Sequence, residues 1–273
     1  MQENINFKII LAPEYTALKE ETEKLRARAC RLITERDDLV FRVCPVTDTL
    51  YQVQFGPLEY KVYKAQCQYL RLKRKSEIIL PMIRNGEEID LKKIEADLDN
   101  EFKKYTSILK ERLKKINKAI EKHTSMKSFS ETETAEIKNI YSSIVNKVHP
   151  VLCPHQSPEA KKLFLNAIKA YENMDIPALK AVEELSLTLE APEERDLYLN
   201  LKHEKQKLTN VIGALEKNIQ DLKNKYPYSV KGIVEDEERS AKYKSDIEKT
   251  LHKYEEAIKA YKSHLSRLLG SEQ

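Results

Sequence analysis

The stretch richest in chemically capable side chains is His149-Pro150-Val151-Leu152-Cys153-Pro154-His155. Two imidazoles and a thiol in the spacing H-x3-C-x-H are donors that zinc accepts. A structural zinc site wants four ligands in paired spacing, however, and no fourth lies nearby. These three side chains are therefore expected to be loop residues with no metal. Arg71, Lys73, Arg74 and Lys75 form the densest basic run and carry the charge to meet phosphate. Tyr69 and Leu72 stand on an apolar seam there, so the charges read as its solvated flanks, and nucleic acid is not an expected partner. No glycine-rich phosphate loop, nucleophile with its base, or metal box is recognisable, so neither an enzyme nor a cofactor is expected.

Composition says what must position these residues. Charged residues make up 34% of 273, with 5 Gly and no Trp, a balance that favours long helices with few connections. A mean hydropathy of −0.61 suits narrow buried seams better than one thick core. The net charge of +4 is the remainder of 48 basic against 44 acidic side chains, interspersed along the chain. Cys30, Cys44, Cys67 and Cys153 form no CxxC pair and read as reduced thiols. Around Ile5 to Leu11 the apolar run is interrupted by Lys8, and nothing approaches the roughly 20 apolar residues of a membrane span. A cytoplasmic protein without a membrane partner is the expectation.

Tyr15, Leu18, Thr22, Leu25, Ala29, Leu32, Arg36 and Leu39 recur in steps of three and four, as do Leu58, Val62, Ala65, Tyr69, Leu72, Ser76 and Ile79. Pro45, Thr47 and Asp48 break the first helix and Gly56-Pro57 opens the second, which predicts an antiparallel hairpin, with Leu50 to Phe55 as a short extended piece. Pro81 is expected to bend or end the second helix, and Asn85-Gly86 to turn before Asp90 caps a third. That third helix, from Leu91 to Ile120, reads as straight with one buried stripe. Further on, Leu201, Leu208, Leu215 and Leu222 fall seven apart, and Ile247, Leu251, Tyr254, Ile258, Tyr261, Leu265 and Leu268 form a last seam. The short Tyr226 to Gly232 connection favours antiparallel return, with parallel homodimerisation as the rival.

Residues 128 to 189 have a different texture. Ser130 with Glu133 is a capping-box pattern, followed by an apolar face of Ile137, Ile140, Tyr141, Ile144, Val145 and Val148. His149-Pro150 stops that helix. A second carries Leu163, Phe164, Ala167, Ile168, Ala170, Tyr171 and Met174, and Asp175 with Pro177 starts a third. This order resembles the J domain of DnaJ-type co-chaperones. Ile137 to Pro150 follows the family pattern IKxxYxxLAxKYHPD, and Phe164, Ala170 and Tyr171 match its FxxIxxAY helix. The likeness covers about a quarter of the chain and extends to bacterial proteins that embed a J-like segment between coiled coils.

The resemblance implies a core of Tyr141, Ile144, Phe164 and Tyr171 and a dock for a DnaK-type chaperone at Lys138, Lys147, His149, Pro150 and Val151. Val151 stands where the family has Asp, and a valine cannot accept a charge-assisted hydrogen bond from an arginine, so stimulation of the chaperone's ATPase is expected to be impaired. The family's YxxLG first helix is not visible before Ser130. The expected fold is all-α, with long antiparallel coiled-coil hairpins (1–127 with a connecting helix, and 190–273) flanking a J-like domain (128–189). The expected function is that of a non-enzymatic, J-domain-like interaction or co-chaperone-type protein with a DnaK-type chaperone or a client as partner. A structural scaffold that homo-oligomerises through its coiled coils is the alternative.

Overall fold

The structure, a computed structural model, describes residues 13–126, 129–154, 156–189 and 198–270. Among them there is no strand, and no helix is long and apolar enough to cross a membrane. In chain order the elements are α1 (Pro13–Asp38), a π-helical turn (Leu39–Val43), α2 (Cys44–Gln54), α3 (Gly56–Asn85), α4 (Leu91–Glu101) and α5 (Lys103–Ser125). There follow α6 (Glu131–Val148), α7 (Pro158–Glu172), α8 (Ile176–Leu187), α9 (Tyr198–Asn224), α10 (Lys231–Glu235) and α11 (Glu237–Gly270). They form two compact units. The first draws on Met1–Pro45 and Ser128–Tyr228, the second on Val46–Lys127 and Ser229–Gln273.

In the first unit α1 lies along α9. Glu21 pairs with Lys205 at 2.7 Å, Arg28 with Glu216 at 2.5 Å and Glu35 with Lys223 at 2.7 Å. The numbers climb together, so the two helices run parallel. Leu208, Ile212 and Leu215 of α9 are buried in one cluster with Ala29, Cys30 and Ile33 of α1. In the second unit α3 lies along α11, also parallel: Phe55, just before α3, meets Tyr243 at 5.1 Å, Tyr69 meets Tyr254 and Tyr261 at 5.9 and 5.5 Å, and Ile79 clusters with Leu265.

These pairings correct the antiparallel hairpins read from the sequence. A heptad stripe shows that a helix needs a partner without saying which one, so the N-terminal hairpin rested on the break at Pro45 to Asp48 and the C-terminal one on the short Tyr226 to Gly232 connection. At the first of these the backbone stays helical from Asp38 into α2. The Cys44 N–H reaches back five residues to the Leu39 carbonyl, widening the helix into a π turn, and Pro45, which has no N–H to give, follows directly in the first turn of α2. Leu50 to Phe55 is accordingly not extended: it runs helically through Gln54, with Phe55 as the N-cap of α3.

Other local signals act as sequence chemistry dictates. Asp90 accepts the N–H groups of Lys92 and Lys93 at 3.0 and 3.1 Å, and Gly86 ends α3 at a φ of 66°, which a side chain would resist. Helix α3 runs through Pro81 to Asn85. The expected straight third helix is broken at Phe102, which separates α4 from α5, and its stripe is not wholly covered: Leu113 and Ile120 remain 43% and 45% exposed. Only Ile116 and Ala119 of α5 are buried.

Candidate functional site

The histidine-proline corner is built by two short helices and the loop between them. At the start of α6, the Ser130 hydroxyl accepts the Glu133 N–H and the Glu133 carboxylate accepts the Ser130 N–H, a reciprocal cap. Helix α6 ends where the exposed Pro150 offers no N–H to continue it. Ser157 then caps α7 by accepting the Ala160 N–H at 3.2 Å, with Pro158 as its first residue. The helices run antiparallel: the Tyr141 ring lies 4.3 Å from that of Tyr171, and the His149 ring meets Phe164 edge-on at 4.9 Å. Tyr141, Ile144, Phe164 and Tyr171 belong to one buried cluster, closed by Leu179 and Val182 of α8 and by Ala29, Cys30 and Ile33 of α1.

Within this corner His149 faces inward and is only 5% exposed. Its Nδ1 accepts the Val151 N–H at 3.1 Å, while its carbonyl takes the N–H groups of Leu152 and Cys153 at 3.0 and 2.8 Å. Burial, with the nearby Arg36 charge, pushes the imidazole pKa down to about 4, so the ring is neutral and its proton belongs on Nε2. Val151 is half-buried against the core. The Cys153 thiol donates to the Lys147 carbonyl at 3.0 Å, and Arg26 of α1 donates to the Leu152 carbonyl at 3.3 Å while pairing with Glu204 of α9 at 2.9 Å. Of the five proposed docking residues, Lys147 and Pro150 are exposed, His149 is buried, Val151 is half-buried, and Lys138 is engaged by an acid.

That acid belongs to a pair that sequence reading missed. Asp37 and Asp38 end α1 immediately before the π turn, and both are buried. The Tyr141 hydroxyl donates to Asp37 at 2.9 Å and the Tyr171 hydroxyl to Asp38 at 2.8 Å. The Lys138 ammonium lies 2.9 Å from Asp38, and Arg42 grips both oxygens of the same carboxylate at 2.5 and 2.7 Å. Arg36 bonds Asp37 through Nε at 2.8 Å.

The two carboxylates differ electrostatically. Burial raises the pKa of Asp37 more than Arg36 and the Tyr141 hydroxyl lower it. For Asp38 burial pulls the same way, but the hydrogen bonds from Arg42, Lys138 and Tyr171 and the Arg42 charge outweigh it and hold the carboxyl below its usual range. Burial, together with these negative neighbours, raises both phenol pKa values well above the ordinary tyrosine value, so both remain hydrogen-bond donors. The arrangement fastens α1 to α6 and α7 through two tyrosine-aspartate bonds and a two-cation clamp. A signal was present in the sequence: Cys30, Ile33 and Asp37, spaced three and four beside the apolar seam, mark a second inward face of α1 that ends in a carboxylate.

For the metal reading, His155 lies outside the described residues. Among those described, no three His, Cys, Asp or Glu side chains gather to hold an ion. Compared with family models, with curated proteins and with solved structures, the chain returned no match.

Proposed function

We propose that this chain is a non-enzymatic, J-domain-like interaction protein of the cytoplasm in which the histidine-proline corner serves as a structural joint and does not trigger a DnaK-type chaperone. One observation carries the reading. The His149 ring is turned into the core against Phe164, with its Nδ1 already accepting the Val151 N–H. A partner arriving at the corner meets Pro150 and Lys147, not an imidazole, and Val151 supplies no carboxylate for a guanidinium. Lys138, which would lend positive charge to a dock, is spent on Asp38.

The test is the ATPase of a purified DnaK-type chaperone with and without the full chain, and with Val151→Asp. No stimulation is expected from either, because restoring the acid leaves the histidine inside. A rise with Val151→Asp would mean that the dock survives and only its trigger was lost. Stimulation by the unchanged chain would refute the reading altogether.

The alternative of a scaffold held together by homo-oligomeric coiled coils has support in the heptads, but Leu201, Leu208, Ile212, Leu215 and Ile219 are already buried within one chain. A coiled coil between copies would have to displace that packing. The helices instead position the corner and offer their outer faces to a client.

A further inference from the structure

Helix α5 carries eight basic residues against two acidic ones, Glu111 and Glu121. Its inner face is spent on its own unit: Ile116 and Ala119 are buried, and the Arg112 guanidinium lies 4.4 Å over the Tyr63 ring of α3. Lys110, Lys114, Lys118 and Lys122 follow one another at four-residue intervals, about 6 Å apart along one ridge. Like charges in that spacing repel and weaken a helix, and the two acids of α5, Glu111 and Glu121, are too few to offset eight basic residues. Three of the four acids of α4 are engaged elsewhere, Glu95 and Asp99 with Arg71, Glu95 also with Lys75, and Glu101 with Arg74, and the fourth, Asp97, pairs with none of the ridge lysines. Asp48 is given to Lys115. Among the described residues the four ridge lysines and Lys103 have no acidic partner.

Beside the ridge lies an open apolar edge. Leu109, Leu113, Ile116 and Ile120 are spaced four, three and four, the pattern of a helix seam. Leu113 and Ile120, seven apart, are the two members that α3 leaves exposed. At 100° per residue, Lys103, Lys110 and Lys114 lie within about 100° of Leu113 on one side of the helix, with Glu121 among them beside Ile120. Lys118 and Lys122 continue the positive ridge behind them.

We propose that this edge of α5 docks an acidic amphipathic helix of a partner protein, with aliphatic side chains seven apart on Leu113 and Ile120 and carboxylates against Lys103, Lys110 and Lys114. The chemistry favours this occupant over the two other anionic ones. A lipid surface needs a broad apolar face, and α5 has given Ile116 and Ala119 to the protein, leaving two aliphatics. A polynucleotide would gain nothing from exposed aliphatics and prefers aromatic platforms, while Tyr105 of α5 is half-buried and stacked on Phe102. Seam residues flanked on one side by Lys103, Lys110 and Lys114, with Glu121 as the one acid of α5 on that side, match a helix whose flank is mostly acidic.

The experiment uses the full chain and a labelled three-heptad peptide with Leu at its seam and Glu on its flanks, followed by fluorescence anisotropy. Saturable binding is expected, weakened at least tenfold by Leu113→Gln with Ile120→Gln and by Lys103→Glu with Lys110→Glu and Lys114→Glu. The lysine variant should regain binding to a peptide whose flanking Glu are changed to Lys. These positions are exposed, so helix content by circular dichroism should be unchanged; if the aliphatic variant does lose helix, the charge-swap pair decides alone. Equal binding of a peptide with Ser in place of Leu would reduce the surface to bare charge and overturn the proposal. So would no binding of the Leu peptide, or tighter binding of phosphatidylserine vesicles or a single-stranded oligonucleotide.

Discussion

At the scale of single residues, a neutral histidine and two buried carboxylates hold the corner, and each has a stability consequence. An imidazole with a folded pKa of about 4, against about 6.5 when unfolded, binds its proton more readily in the unfolded chain. Its contribution is therefore complete above about pH 6.5, declines as the pH falls towards 4 and levels off below that, with a full span of about 3 kcal/mol. Asp38, held below its usual range, adds a loss only at still lower pH, whereas Asp37, held above it, gains on protonation. Urea unfolding at pH 7 and at pH 4.5 should show the decline, and His149→Gln should flatten it; an equal decline in that variant would place the sensitivity elsewhere. Asp38→Ala leaves Arg42, Lys138 and the Tyr171 hydroxyl without their acceptor and should cost about 3 kcal/mol, against about 1 for Tyr171→Phe, measured by the same unfolding. Tyr141, Ile144, Phe164 and Tyr171 could be named from type and spacing, because apolar periodicity reports burial directly. The inward turn of His149 and the burial of Asp37 and Asp38 could not, because a polar residue in a sequence reads as exposed until its partners are in place, and for the two carboxylates these tyrosines lie more than a hundred positions away.

Elements were legible where their signals are local. The reciprocal Ser130–Glu133 cap, the Asp90 cap and the Gly86 stop all lie within four residues of what they cap. Partners were not legible, since the same Leu stripe serves a parallel neighbour as well as an antiparallel one, and the π turn that carries the chain past Pro45 has no sequence signature as plain as a cap. One close approach is testable at this scale. A Cβ added at Gly56, where α3 begins, would lie 2.9 Å from Cγ1 of Ile116 in α5, too near to the backbone of that residue for simple rotation to relieve. Gly56→Ala should therefore destabilise the protein by about 1–2 kcal/mol in thermal unfolding, although the residue starts a helix and alanine is the better helix former. A stabilised variant would mean that α5 yields freely.

For the molecule as a whole, the all-helical class was legible from composition, since few glycines and abundant charge leave few other folds, but the assembly of each unit from two separated stretches was not. Because the α9 seam is filled by α1 of the same chain, light scattering should report a monomer at micromolar concentration, and a dimer abolished by polar substitutions at Leu208 and Leu215 would contradict the intrachain pairing. The environment of His149 exists only when α1, α6 and α7 have come together, so its titration reads the assembly. In side-chain-labelled protein followed by NMR from pH 3 to 8, the account predicts that the His149 imidazole stays neutral until about pH 4. A midpoint near 6.5 or above would show the ring in solvent or beside an acid, and would contradict the joint on which the account rests.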